Sequence, residues 1–437
     1  MSAPARLPAA LALDDLHASV SHPLSESMNF LNEVAQRYPD AISFAAGRPT
    51  ERYFDLADVH RYLDLFHAHL TTVFGGDRAR ADRELMQYGR TKGIIHELIA
   101  RHLAVDENIH AAGESIVVTV GCQEAMYLTL RALRRTPRDV LLTVVPGYVG
   151  AMGAAQLAEM TVHPVADDGS GLDFEDLDRR LAECAADGLR VRALYLVADF
   201  ANPSGAVLGR EARERLLRVA EEHDFLLLED NPYGIFDAGE PGPPTLKSMD
   251  RSGHVVYLGS FGKTGVPGAR VGYAVADQPV RTPDDRTELL ADQLGRIKSM
   301  LTVNTSPLAQ AVIGGKLLEH GYSLRAANVR ERDIYRRNLR QMLDGLTRRF
   351  PPGGAPAVTW NVPRGGFFLV LTVGFEADDA TLTRCAREHR VLWTPMHHFY
   401  GGGAAVRRLR LSFSHLDPAE IEEGLDRLAG FLAAQGG

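Results

Sequence analysis

Disulfides, a membrane span and a basic face are all missing from this 437-residue chain. Each absence narrows what it can be. The three cysteines, Cys122, Cys184 and Cys385, are odd in number, far apart and without metal-ligand spacing. They exclude a disulfide framework, imply no metal centre, and fit a reducing cytoplasm. No run of about 18 apolar residues occurs, so no membrane span is expected. The formal charge of -8 gives no footing for nucleic acid, which needs a basic face. Met1–Leu11 lacks the apolar core of a signal peptide, and residues 1–20 are expected to be a loose tail. Lysine is scarce, and informatively so: Lys92, Lys247, Lys263, Lys298 and Lys316 are the only ones.

What is present is an ordinary globular composition, 45% hydrophobic and 24% charged, in a chain long enough for two cores. Apolar residues at helical spacing predict a helix over Pro23–Arg37. Asp55 is placed to cap another, through Phe74. From Ser115 onward, strand-like runs (Ile116–Val120, Val140–Val145, Thr161–Val165, Val191–Val197, Phe225–Leu228, Val255–Leu258) alternate with helical patterns. That alternation predicts an α/β domain with a mostly parallel sheet and helices on both faces. Val271–Val275 reads as a further strand, and the chain after Asp284 as helical to Phe350. Past Pro351, short strands mix with two helices, which predicts a smaller α+β domain. The expected partition is a segment over 1–54 that joins the small domain, a large domain over 55–320, and the small domain over 321–437.

Ligands in open α/β sheets gather at the carboxyl ends of the strands. Gly121-Cys-Gln opens a helix after the first strand, a place suited to phosphate as well as to a plain turn. Tyr148 follows the second, as a stacking ring or simple packing. Asn202 precedes a proline after Val191–Val197, as a turn residue or a donor to a phenolic oxygen. Glu229 and Asp230 follow four apolar residues, where a carboxylate is costly unless partnered, and a protonated pyridine nitrogen is such a partner. Tyr233 is three residues on. Ser260, Lys263 and Arg270 close the series: an amine that burial and nearby cations keep neutral, and a guanidinium able to hold phosphate. Each feature alone is weak, but together they are the parts needed to hold pyridoxal phosphate.

Read with their neighbours, these stretches resemble the fold-type I pyridoxal-phosphate enzymes of the class I/II aminotransferase family, from Ile42 to Leu428. The motifs are Gln87-Tyr-Gly, Gly121-Cys-Gln-Glu-Ala, Pro146-Gly-Tyr, Asn202-Pro-Ser-Gly, Glu229-Asp-Asn-Pro-Tyr, Gly259-Ser-Phe-Gly-Lys, Pro267-Gly-Ala-Arg-Val-Gly and Arg410-Leu-Ser-Phe-Ser. The chain is most similar to the 2-aminoadipate, kynurenine and aromatic branch. Phe44-Ala-Ala-Gly-Arg-Pro and Gln87-Tyr-Gly-Arg-Thr-Lys-Gly resemble dihydroxyphenylglycine transaminases.

The resemblance implies a three-layer large domain, a homodimer with shared active sites, and amino-acid and 2-oxo-acid substrates. It implies Lys263 as the Schiff-base lysine and proton carrier, Asp230 at the pyridine nitrogen, and Asn202 and Tyr233 at the ring hydroxyl. Tyr148 stacks on the ring, while Cys122, Gln123, Ser260 and Arg270 hold the phosphate. Tyr88 reaches the phosphate of the neighbouring subunit, Arg410 clamps the substrate carboxylate, and Gly47 borders the substrate.

Several positions depart from the family pattern. Gly262 replaces a small polar residue, and Gly147 a threonine. Met396 replaces a glycine and is followed by His397 and His398, of which one is expected to be exposed and the other to face the ligand. Arg48 stands where relatives are apolar, which favours an anionic or polar substrate. The leading reading is an aminotransferase. The alternative keeps the cofactor but performs elimination, replacement (for example on S-adenosylmethionine) or amino-acid oxidation. A regulator's sensor domain would need a DNA-binding segment, for which the first 40 residues are too short and not basic.

Overall fold

Leucine- and valine-rich runs bounded by glycine, proline and aspartate become strands in the computed structural model, which describes residues 11–401 and 406–435. Seven of them form one sheet: β1 (Ile116–Val120), β2 (Asp139–Val145), β3 (Thr161–Ala166), β4 (Arg190–Leu196), β5 (Leu226–Asp230), β6 (Val255–Ser260) and β7 (Val271–Val275). Their spatial order is β1-β7-β6-β5-β4-β2-β3. β7 runs antiparallel to β1 and β6, and every other pair is parallel. Helices Gly121–Leu133, Val149–Leu157, Phe174–Ala186 and Arg210–Glu222 follow β1 to β4 in turn.

The two-residue period of a strand sorts side chains between two apolar layers. Leu141, Tyr195, Leu228 and Val256 join the layer containing Ala125 and Met126. Their neighbours Leu142, Leu194, Leu227 and Val255 join the opposite layer, with Leu177 and Leu216. The same alternation carries Asp230 to the first side and Glu229 to the second, which decides their different fates.

A second sheet orders β8 (Thr359–Trp360), β9 (Phe368–Ala377), β10 (Thr394–Pro395) and β11 (Val406–Ser412) as β8-β9-β11-β10, all antiparallel. Its core includes Leu369, Leu411, Trp393 and Leu428, and takes in Val34 and Phe44 from the start of the chain. Ile42–Ser43 also pairs in parallel with Val391–Leu392. Burying Phe44 completely contributes about 2–3 kcal/mol, enough to seat the loop that follows it. The helix Val329–Arg349 places Ile334 and Tyr335 in one core and Leu339, Met342 and Leu346 in the other.

Helix Leu56–Val73 is capped by the Asp55 carboxylate, which accepts from Ala57 N. The stretch after Asp284 is not all helical. Pro279–Arg281 and Thr287–Leu289 pair as an antiparallel ribbon before the helix Leu290–Leu301. The charged run Arg78–Met86 is a helix whose Ala81 and Leu85 face the core. The first half of the expected tail, residues 1–10, lies outside the described residues, and Leu13–Asp15 forms a single 3₁₀ turn. Among the described residues no helix is long and apolar enough to cross a membrane.

Candidate active site

At the carboxyl end of β5 two adjacent carboxylates are fully enclosed and treated in opposite ways. Glu229 accepts from the backbone N–H groups of Leu246 (2.7 Å) and Lys247 (2.8 Å), with Arg213 3.9 Å away, and is thereby absorbed into the core. Asp230 faces a cavity of about 370 Å³. Its oxygens accept from Tyr195 Oη at 2.7 Å and from the Cys122 thiol at 3.5 Å, and no cation pairs with it among the described residues. Burial raises its carboxyl to about 6, against the pull of the Tyr195 and Cys122 hydrogen bonds and of Lys263. A buried carboxylate left without a cation matches the charge of a protonated ring nitrogen.

Lys263 follows β6 and reaches into the same cavity, where Nζ donates to Gly47 O at 2.8 Å. Burial lowers the amine to about 8, helped by Arg410 and Arg270 and opposed by Asp230. Scarcity of lysine directs attention to this one, and its surroundings give the physical reason: near physiological pH a usable fraction of it is neutral, which an ordinary lysine does not offer. Gly47 has no room for a side chain, since a Cβ would collide with the Phe368 ring.

The phosphate-class groups converge on the start of helix Gly121–Leu133. Gly121 has φ +70°, and the Arg270 guanidinium occupies the space a Cβ would fill. Cys122, Gln123, Ser260 and Arg270 all line the cavity. The thiol of Cys122 is turned to Asp230, and the Gln123 amide donates to Gly150 O at 2.6 Å, so these two offer an anion chiefly their backbone N–H groups. Gln123 Oε1 is buried without a hydrogen-bond partner among the described residues.

The opposite wall carries Arg410 on β11. Its Nη1 donates to Asn202 Oδ1 and its Nη2 to Ala45 O, both at 2.6 Å, with Thr394 Oγ1 at 3.1 Å from Nη2. The guanidinium lies 4.2 Å from the Phe368 ring centroid and 5.0 Å from that of Phe399. It is 4% exposed, has no carboxylate partner among the described residues, and burial draws it down to about 10. An unpaired buried guanidinium opening on a cavity is a site for a carboxylate. Tyr148, Asn202, Tyr233, Gly47 and Arg48 line the same space, and burial pushes the Tyr233 phenol up.

Sequence reasoning passed over Tyr195, the Cys122–Asp230 contact, and the aromatic pair around Arg410. A tyrosine inside Ala193-Leu-Tyr-Leu carries a hydroxyl into a core where it must find a partner. That signal was available. The pairing of Arg410 with Phe399 depends on tertiary placement and was not.

Tyr88 lies apart from this cavity. It is 82% exposed, near the exposed Met86. The two histidines differ from expectation. Neither is exposed and neither lines the cavity, because the 3₁₀ turn Met396–Tyr400 directs His398 toward helix Pro23–Arg37 and His397 toward Asp379. His398 is buried, hydrogen-bonded to Ser27 Oγ (2.9 Å) and Asp379 Oδ1 (2.8 Å), and stacked on Phe30. His397 is half-buried, and its ring centroid lies 4.1 Å from that of His398.

The described geometry has counterparts among known proteins. The model of the family "aminotransferase class I and II" matches residues 66–428. An (S)-3,5-dihydroxyphenylglycine transaminase of Amycolatopsis orientalis is 54% identical over 97% of this chain and 95% of its own. The crystal structure of a Pyrococcus horikoshii kynurenine aminotransferase with PMP superposes with TM-score 0.80 at 28% identity, covering 96% of this chain and 97% of that one. An α-aminoadipate aminotransferase from Thermus thermophilus, complexed with N-(5'-phosphopyridoxyl)-L-leucine, gives 0.78 at 28% identity, covering 97% and 99%.

Proposed function

This chain belongs to the class I and II aminotransferase family, with pyridoxal phosphate as its cofactor. From that premise we propose that it takes the amino group from an aryl-glycine type of amino acid and passes it to a 2-oxo acid. The observation that carries the aminotransferase reading is three charged groups facing one cavity: the buried Asp230 and Arg410, without an ion-pair partner among the described residues, and the half-buried Lys263. The aryl-glycine substrate rests on the 54% identity to a dihydroxyphenylglycine transaminase over nearly the whole of both chains.

Bound pyridoxal phosphate supplies an aldehyde that captures amines and a ring that accepts the electron pair left at Cα. Asp230 would hold the ring nitrogen, Asn202 and Tyr233 the ring hydroxyl, and Tyr148 one ring face. Ser260, Arg270 and the N–H groups of Cys122 and Gln123 would hold the phosphate. Arg410 fixes the substrate α-carboxylate, and the neutral Lys263 amine removes the Cα proton. The low proton affinity that burial gives Lys263 is what lets one nitrogen serve as nucleophile and then as base.

The remaining assignments are part of the same proposal. The enzyme works as a homodimer in which Tyr88 reaches the partner's phosphate, which is supported by the exposure of Tyr88, Met86 and Met300. The segment over 1–54 works with the small domain over 321–437, and 55–320 carries the cofactor. Three free, buried thiols support a cytoplasmic location, which fractionation of source cells tests.

A donor panel with 2-oxoglutarate or pyruvate as acceptor tests the function. The expected result is stoichiometric amino transfer with aryl-glycines preferred. Turnover of glutamate alone, or ammonia release from an aryl-glycine, overturns the substrate proposal. Sedimentation as a monomer at micromolar concentration overturns the dimer.

A further inference from the structure

The loop from Phe44 to Thr50 is pinned through its backbone. Phe44 O accepts from Ser412 N, and Ala45 O accepts from Arg410 Nη2 and Thr394 Oγ1. Gly47 O accepts from Lys263 Nζ, Arg48 O from Ser414 Oγ, and Thr50 N donates to Tyr335 Oη. With its backbone so held, the loop projects Arg48, and a turn later Glu51, from a fixed base at the cavity mouth. Both side chains line the cavity, are more than half exposed, and face each other at 3.7 Å, with His415 within the electrostatic reach of Arg48. Phe54, 56% exposed, borders the same mouth. Neither charged side chain is needed for the fold, since no other ion pair or side-chain hydrogen bond engages them among the described residues.

The charge of this mouth is selective. A lone arginine there would favour a second carboxylate on the substrate. Glu51 beside Arg48 cancels that preference and repels an incoming carboxylate. A neutral group that both accepts and donates suits the pair: it takes a hydrogen bond from the guanidinium and gives one to the carboxylate. A phenolic hydroxyl is such a group, and Phe54 offers its ring an apolar face.

We infer that Arg48 and Glu51 are the specificity-determining pair that reads hydroxyl substituents on the aromatic ring of the amino acid, with Phe54 packing against that ring. The inference rests on the aryl-glycine reading above and goes further by naming the residues and the substituent.

The test measures the first half-reaction alone, in single turnovers of holoenzyme with 3,5-dihydroxyphenylglycine, phenylglycine and glutamate. Wild type is expected to favour the dihydroxylated ring over the bare ring. Arg48→Ala and Glu51→Ala should each lower that ratio at least about tenfold, because a site built to hydrogen-bond a hydroxyl discriminates strongly against its absence. Arg48→Lys, which keeps a donor, should restore part of the ratio, an effect that a general loosening of the loop does not produce. If wild type favours the dihydroxylated ring and both alanine variants keep the ratio, this inference is overturned while the aryl-glycine reading stands. It is also overturned if the loss in Arg48→Ala falls chiefly on glutamate, since Arg48 then reads a carboxylate. If wild type converts neither ring compound, the aryl-glycine reading itself has failed and this inference falls with it.

Discussion

Two buried arginines, one in the large core and one at the cavity, are built from the same residue and do opposite work. Arg213 is 0% exposed and saturated: it donates to Asp199 (2.6 Å) and to the carbonyls of Leu208, Pro244 and Ala198, with Glu229 nearby. Arg410 is nearly as deeply placed, yet among the described residues it has only neutral oxygens for partners, and its Nε has none. The adjacent carboxylates repeat the contrast, Glu229 absorbed by backbone donors and Asp230 left facing the cavity without a cation. Burial without neutralisation costs folding energy. It persists where a ligand completes the set, so the unpaired burial of Asp230 and Arg410 marks the working cavity, and the paired burial of Arg213 and Glu229 belongs to the scaffold.

The sharpest way to separate the two regions is to remove the cavity lysine. Lys263→Ala should lower amino transfer by about 10⁴-fold, since it deletes both nucleophile and base, and should abolish the visible absorbance of the lysine-bound cofactor. In the cofactor-free protein its melting temperature should not fall, since no ion pair is lost and the cost of burying the amine is relieved. The arginine comparison breaks cleanly if the two substitutions exchange effects. Arg213→Leu strands two carboxylates and should cost about 3–5 kcal/mol of stability with KM little changed in the protein that remains folded. Arg410→Leu should instead raise KM for every amino donor by roughly 100-fold, as expected when one partner of a buried charge pair is lost, with stability kept. Tyr195→Phe removes one hydrogen bond to Asp230 and should slow turnover by about tenfold, the effect of about 1.5 kcal/mol, without changing KM.

The two regions also differ in a slope with pH. In the cofactor-free protein Lys263 titrates near 8, below the ordinary lysine value of 10.5. Between those values the unfolded chain holds a proton the folded one does not, so stability rises with pH across that window. Lys263→Met should lack this component of the slope, as followed by denaturant midpoints between pH 7.5 and 10.

The working region was largely legible before its structure, and the reasons are specific. Strand ends announce themselves when a polar residue follows a buried run, as in Leu228-Glu-Asp and Leu258-Gly-Ser. What the run alone left open was which carboxylate faces the cavity. The pleat decides this, because Asp230 shares the face of Tyr195 and Leu228. Lysine scarcity isolated Lys263. Less legible were contacts between remote elements: Arg410 against Phe399, and the pinning of the Phe44–Thr50 loop by five different elements. The histidine pair misled for a related reason. Its position beside a substrate-facing segment suggested a role in the cavity, but the 3₁₀ turn there rotates both rings away from it, and Ser27 and Asp379 complete the bonding of His398. Charged surface helices such as Arg78–Met86 were missed because their apolar face is only two residues wide.

The central claim is that the cavity of Asp230, Lys263 and Arg410 stores an amino group between two 2-oxo acids. The most direct measurement is a mass balance on a single turnover: holoenzyme with excess amino donor and no acceptor, followed by addition of a different 2-oxo acid. One equivalent of 2-oxo acid should be released per chain, with no ammonia, and the amino group should be recovered quantitatively on the added acceptor. Ammonia appearing with the first product, or no amino group left on the enzyme to transfer, would contradict it.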